Sequence, residues 1–199
     1  MPYRLGSTLI TASEIQARIQ ELATAISRDY AGRELLLICV LKGAAVFWAD
    51  LCRGFRIPCQ SDFVAMESYG EATSPLAEPR FTKAADVALA DRDILIVEDI
   101  VDTGHTSLRL RELLRAQSPR SLAMCALLDK VERRQVPTPI EYCGFVIPNA
   151  FVVGYGLDYA QQYRHLPYIA VLEEVPGKEH PGERAFSTCT AQPQRSDRT

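Results

Sequence analysis

The chain has 199 residues, 47% of them hydrophobic and 24% charged, which suffices for one α/β domain with a substantial core. Its formal net charge of −3 excludes the overall basic footprint of a protein that binds nucleic acid. The start carries no apolar stretch of signal-peptide length and no segment approaches a membrane span, so the expectation is a cytoplasmic protein without nucleic-acid or membrane partners.

The first predicted element is a helix. Thr11 or Ser13 caps it with Glu14 or Gln16 three residues on, Ile15, Ile19, Leu22 and Ile26 form one apolar stripe, and Gly32 ends it. Leu35 to Val40 is an unbroken apolar run, the pattern of a strand buried on both faces. Leu41-Lys42-Gly43-Ala44 follows, then an apolar helix through Val46, Phe47, Trp48 and Leu51 that stops at Gly54. Asp62 to Glu67 alternates as a strand. Ser68-Tyr69-Gly70 then leads into a structureless segment, Glu71 to Ala85, interrupted by Pro75 and Pro79; connections of that length are lids or disorder.

The stretch from Ile94 to Ser107 organises the rest. Ile94, Leu95, Ile96 and Val97 predict a central parallel strand, two carboxylates stand at its end, and Asp102-Thr103-Gly104-His105-Thr106 forms a polar turn. Leu108, Leu110, Leu113 and Leu114 then recur at helical spacing among Arg109, Arg111, Glu112 and Arg115. Leu122 to Leu128 is the next buried strand, ending at Asp129-Lys130, and Arg133 and Arg134 beyond it are expected to stay solvated. Pro137 and Pro139 mark a loop before a strand at Cys143 to Ile147. Phe151 onward predicts a short strand, a glycine-rich turn at Gly154-Tyr155-Gly156 and a final strand, Ile169 to Leu172. From Pro176 periodicity ceases, so residues 1–175 are the expected domain and 176–199 a disordered C-terminal tail. The six cysteines show no C-x-x-C pair and mostly sit in apolar runs, which predicts reduced core residues.

The polar turn carries readable chemistry. Backbone N–H groups and hydroxyls of Thr103, Gly104, His105 and Thr106, with the positive end of the following helix, suit a phosphate. No Gly-x-x-x-x-Gly-Lys is present, which excludes a Walker-type loop. Glu98, Asp99 and Asp102 crowd negative charge onto the same turn, and a ribose phosphate reconciles the two, because carboxylates accept from a sugar diol while amides hold the phosphate. Taken alone, Asp102 or Thr103 is a helix cap, Lys42 and Lys130 are solvated lysines, and Phe151 is a core residue. His105 and His165 lack the partners that a metal ligand or base needs.

Val97-Glu98-Asp99-Ile100-Val101-Asp102-Thr103-Gly104-His105-Thr106 resembles the phosphoribosyl pyrophosphate signature of the type I phosphoribosyltransferases, in the wording of the hypoxanthine-guanine branch. Further likeness extends over roughly residues 8 to 173. The resemblance implies an α/β fold with a mainly parallel central sheet flanked by helices, a small hood and a flexible active-site loop. It implies that Lys42 and Gly43 form the pyrophosphate loop, with a cis peptide before the lysine, and that Ser68 and Tyr69 belong to the loop that closes over the reacting centre. By the same resemblance Thr103, Gly104, His105 and Thr106 hold the 5′-phosphate, while Glu98 and Asp99 fix the ribose hydroxyls directly or through a metal. Asp102 becomes the general base at purine N7, and Lys130 the donor to the exocyclic oxygen of a 6-oxopurine. Phe151 would stack on the purine, the Val152 backbone would pair with its edge, Asp158 would hold Mg²⁺, and Arg164 the pyrophosphate.

The implied activity is purine salvage: transfer of a phosphoribosyl group from phosphoribosyl pyrophosphate to N9 of hypoxanthine or guanine, by a homodimer or homotetramer. A regulator that keeps the pocket without catalysis has less reason to retain Asp102, Lys130, Asp158 and Arg164 together. A nucleotide-binding protein of another kind would need a different phosphate loop.

Overall fold

The computed structural model describes residues 3–67 and 80–175. Ser68 and Tyr69, the first part of the 71–85 segment and the tail 176–199 lie outside the described residues. In chain order the elements are β1 (Tyr3–Ile10), α1 (Ala12–Asp29), β2 (Leu35–Leu41), α2 (Ala45–Gly54), β3 (Cys59–Glu67), β4 (Arg80–Lys83) and β5 (Asp93–Val101). After them come α3 (His105–Arg115), β6 (Ser121–Asp129), a 3-10 turn at Val131–Arg133, β7 (Tyr142–Val146), β8 (Val152–Val153) and β9 (Ile169–Glu174).

The larger sheet has the order β4-β3-β2-β5-β6-β7, all parallel except the β4 edge. Alternate residues of its central strands serve two cores. Leu35, Leu37, Leu95, Val97, Cys125 and Leu127 pack with Ile15 and Ile19 of α1 and Phe47 and Leu51 of α2. Leu36, Ile38, Ile94, Ile96, Met124 and Ala126 pack with Leu110 and Leu114 of α3. Burial on both faces is why these strands are continuous apolar runs. β2 leads through α2 to β3 on one side, whereas β5 leads through α3 to β6 on the other. Their carboxyl ends therefore flank a topological switch point, where open α/β sheets bind ligands.

The predicted cap of α1 is a capping box: Thr11 N donates to Glu14 at 2.8 Å, while Glu14 N donates to Thr11 Oγ1. The helix ends at Asp29 with Tyr30 as its cap, and Gly32 follows in a left-handed conformation. Two strands depart from the expectation. β1 precedes α1, and only Ile10 in it is buried, so it has neither alternation nor an apolar run; its pairing with β9, Tyr3↔Glu174 to Ile10↔Ile169, makes it a strand. β4 lies within the segment expected to be structureless, and its four residues are too few to show a pattern. β9 also pairs with β8, and this three-stranded antiparallel sheet is the hood.

Cys39, Cys52, Cys59, Cys125 and Cys143 are free. Burial pushes the Cys39 thiol up to about 12 and that of Cys52 to about 11, which leaves them unreactive core groups. Among the described residues no helix is long and apolar enough to cross a membrane.

Candidate active site

The end of β5 turns into α3 through Asp102, Thr103 and Gly104. Gly104 is the N-cap of α3 with φ of 92°, and no side chain caps the helix. The uncapped N-terminus leaves its amides for an anion and sets aside the reading of Asp102 or Thr103 as caps. A cleft of about 180 Å³ opens here, lined by Val40 and Met66 on one side and Glu98, Asp102, Thr103, Gly104 and Thr106 on the other. The His105 ring points away to Gln135 Oε1, at 3.1 Å, so the residue offers the turn its backbone.

Glu98 and Asp99 are consecutive carboxylates at the strand end. Burial pushes the Glu98 carboxyl well above its ordinary range, and the neighbouring Asp99 charge adds to the rise. Burial also raises Asp99, against hydrogen bonds from Glu98 and the Ile100 amide and the charge of Arg164. A buried carboxylate next to a half-buried one favours retaining a proton until a cation or hydroxyl donor arrives.

The peptide between Leu41 and Lys42 is cis, as the resemblance implies. Lys42 stands exposed while Gly43 is buried. A Cβ on Gly43 would fall 1.6 Å from Asp99 Oδ2, so the β2 loop touches the acidic pair through a residue that must lack a side chain. Gly156, at φ of 98°, packs against the same loop, and a Cβ there would lie 2.1 Å from Gly43 O. The glycines at 43 and 156 thus join three loops into one rim.

Asp102 faces two cations. Its Oδ2 lies 3.7 Å from Lys130 Nζ and its Oδ1 lies 3.0 Å from Arg133 Nε. Lys130 is buried, with its backbone N–H donating to Val101 O. Arg134 pairs with Asp129, and its side chain is largely buried. The expectation that both arginines stay solvated is corrected for Arg134, which Asp129 draws in, while Arg133 stays exposed and pairs with Asp102. Arg111, placed among the polar residues of α3, is likewise buried against Glu141.

Asp158 and Arg164 pair with each other at 2.6 Å, and Arg164 also donates to Gly156 O at 2.6 Å. In the hood Val152 is buried and pairs with Val171 of β9. Phe151 is 50% exposed, not core. Tyr3 stacks beside it with centroids 6.1 Å apart, and Tyr159 meets it edge-on at 5.8 Å.

A family model described as a phosphoribosyl transferase domain matches residues 8–160. The chain is 47% identical over 163 residues to hypoxanthine phosphoribosyltransferase of Salmonella typhimurium, a match spanning 81% of this chain and 92% of that protein. Over 178 residues it is 47% identical to hypoxanthine-guanine phosphoribosyltransferase of Mycobacterium tuberculosis, spanning 86% and 88%. This chain belongs to the hypoxanthine(-guanine) phosphoribosyltransferases. A crystal structure of a hypoxanthine-guanine phosphoribosyltransferase from Bacillus anthracis matches it with a TM-score of 0.80 at 40% identity, covering 86% of this chain and 99% of that one.

Among the site residues expected of a phosphoribosyltransferase, Glu98, Asp102, Thr103, Gly104 and Thr106 line one cleft, and Gly43 abuts Asp99. Lys130 reaches Asp102 from β6, and Asp158 and Arg164 join the rim through Gly156. Sequence reasoning missed Tyr3, Tyr159, Gln135 and Thr138. Gln135 N donates to Thr103 O at 3.0 Å and Thr138 Oγ1 to Gly104 O at 3.2 Å, so both brace the turn ahead of α3. Their only signal was position just after Lys130.

Proposed function

We propose that this chain transfers the 5-phosphoribosyl group from phosphoribosyl pyrophosphate to N9 of hypoxanthine, and of guanine, releasing pyrophosphate and the nucleoside 5′-monophosphate. The observation that carries the choice of base is the Lys130–Asp102 pair, an ammonium and a carboxylate 3.7 Å apart beside the phosphate turn. A 6-oxopurine presents O6 and N7–H along one edge, an acceptor for Lys130 and a donor for Asp102. Adenine puts an amino group opposite the ammonium, donor against donor, and is disfavoured.

The remaining residues divide the work. Thr103, Gly104, His105 and Thr106 bind the 5′-phosphate at the uncapped start of α3. Glu98 and Asp99 accept from the ribose hydroxyls, Phe151 stacks on the purine, and the Val152 backbone meets its edge. Lys42, the Gly43 amide and Arg164 hold pyrophosphate, on which negative charge collects as the anomeric C–O bond breaks. Asp102 takes the N7 proton as N9 bonds to the sugar carbon. Ser68 and Tyr69 belong in this reading to the loop that shields the reacting centre from water.

The donor set fits Mg²⁺: Asp158, Glu98 and Asp99 offer hard carboxylate oxygens, and Mg²⁺ combines one or two carboxylates with substrate oxygens. Among the described residues no group of three or more His, Cys, Asp or Glu side chains is placed to hold a metal ion by itself. When bound, it would offset negative charge on the pyrophosphate. The reading includes residues 1–175 as the transferase domain and a cytoplasmic setting, which the free cysteines support. It also includes assembly as a homodimer or homotetramer, to which α2 offers the exposed Val46.

Initial rates with phosphoribosyl pyrophosphate and Mg²⁺ test the reading. Hypoxanthine or guanine should turn over while adenine is inert, and Asp102→Asn should reduce kcat about 10²–10⁴-fold with little change in KM. No turnover of any base, with tight phosphoribosyl pyrophosphate binding, would leave a regulator that has kept the pocket.

A further inference from the structure

Arg133 ends the 3-10 turn that follows Lys130. Two backbone bonds fix the segment around it: Lys130 N donates to Val101 O and Gln135 N to Thr103 O, each at 3.0 Å. Val101 and Thr103 are the two neighbours of Asp102. The segment is therefore registered on both sides of that residue, and the side chain between the anchors closes on Asp102 itself, with Nε 3.0 Å from Oδ1. This oxygen is shut off from solvent and makes no hydrogen bond of good angle, and the guanidinium is the cation that faces it. The other oxygen, Oδ2, lies on the Lys130 side at 3.7 Å.

We infer that Arg133 is a positioning residue for the transfer reaction: by holding Asp102 Oδ1 it presents Oδ2 beside the Lys130 ammonium, where the N7–H of the purine arrives. This rests on the reading of Asp102 as the base. The terminal torsion of an aspartate is broad and two-fold, so a carboxylate held at one oxygen is much better defined than a free one. Lys130 alone does not define it, since 3.7 Å is too long for a hydrogen bond and its N–H groups turn to O6 once the base binds. The proton leaves N7 for Oδ2 while the N9–carbon bond forms and the carbon–pyrophosphate bond breaks. Arg133 stays protonated throughout and transfers nothing.

A purely structural role is a poor fit. The Arg133 and Asp102 side chains are 45% and 39% exposed, and ion pairs so exposed add little to folding. Removing the guanidinium should free the carboxylate and leave the fold.

The test is a double-mutant cycle on kcat with hypoxanthine, with melting temperature measured on each variant. Arg133→Gln should lower kcat about ten- to a hundredfold, as misplacing a reacting group does, with KM for phosphoribosyl pyrophosphate and melting temperature nearly unchanged. In the Asp102→Asn background the same substitution should cost nothing further, and Arg133→Lys should recover part of the loss. Equal losses in both backgrounds, or wild-type kcat for Arg133→Gln beside a crippled Asp102→Asn, would overturn the inference alone. Wild-type kcat for Asp102→Asn would overturn the base assignment and the inference with it.

Discussion

Gly43 has no room for a methyl group. Its Cβ would sit 1.6 Å from Asp99 Oδ2, so an alanine must displace either the β2 loop or the acidic side chain. Both belong to the proposed sugar and pyrophosphate contacts, and misplacement by about 1 Å can cost about a hundredfold in rate. Gly43→Ala should therefore lower kcat/KM for phosphoribosyl pyrophosphate at least about tenfold, with a smaller effect on KM for the purine. Initial-rate kinetics with each substrate varied would check this, and wild-type values would remove the loop from the pyrophosphate site. At this scale the gathering of Glu98, Asp102 and Lys130 was legible because strand ends in a parallel sheet converge, whereas the roles proposed for them came from the resemblance. Arg133 was not, since its partner lies 31 residues away and only the fold brings a turn after β6 against the end of β5. The exposure of Phe151 was also hidden: an aromatic in an apolar run looks like core until β8 is seen to be an edge strand of the small sheet.

Elements differ in how much their own residues say. β2, β5 and β6 are buried on two faces, so each announces itself as a continuous apolar run. β1 and β4 owe their conformation to a partner elsewhere in the chain, and local pattern carries no trace of that. Asp62 in β3 shows how such an edge is secured. Burial works to raise its carboxyl, but the backbone amides of Phe63, Val87 and Asp86, with the Lys83 charge, outweigh it and hold the group below its ordinary value of 3.8. A native value below the unfolded one means the unfolded chain binds more protons near pH 3 to 4, so stability rises with pH there. The contribution is present above 3.8 and is lost as pH falls through the lowered native value. Asp62→Asn should lower unfolding free energy by about 2 kcal/mol at pH 7, since hydrogen bonds to a charged acceptor contribute about 1.5–3 kcal/mol. Urea unfolding at pH 7 and pH 3 decides it: the gap between wild type and variant should shrink at the lower pH, and a constant gap would mean the charge is irrelevant.

The whole molecule brings β2, β5 and the 154–158 turn to one crevice, and it gathers carboxyl groups there. Glu98 is buried beside the half-buried Asp99, and Asp158 is paired with Arg164. The strand order that creates this crevice was foreshadowed by alternating strands and helices, but the neighbour relation between β2 and β5 is a property of the sheet, visible only in its topology. A crowded set of carboxylates should be relieved when a cation arrives with a ligand that supplies hydroxyl donors, and a ligand that binds only the folded chain raises its stability by mass action. At a hundred times its dissociation constant the gain is about 2.7 kcal/mol. For a chain of this size that is a rise in melting temperature of about 5–11 °C, at roughly 2–4 °C per kcal/mol. Phosphoribosyl pyrophosphate with Mg²⁺ should give the full rise, and each component alone only a fraction of it. A full rise with phosphoribosyl pyrophosphate in excess chelator would show that the acidic residues at 98, 99 and 158 hold the ligand without a metal, leaving the diol contact as the sole role for Glu98 and Asp99.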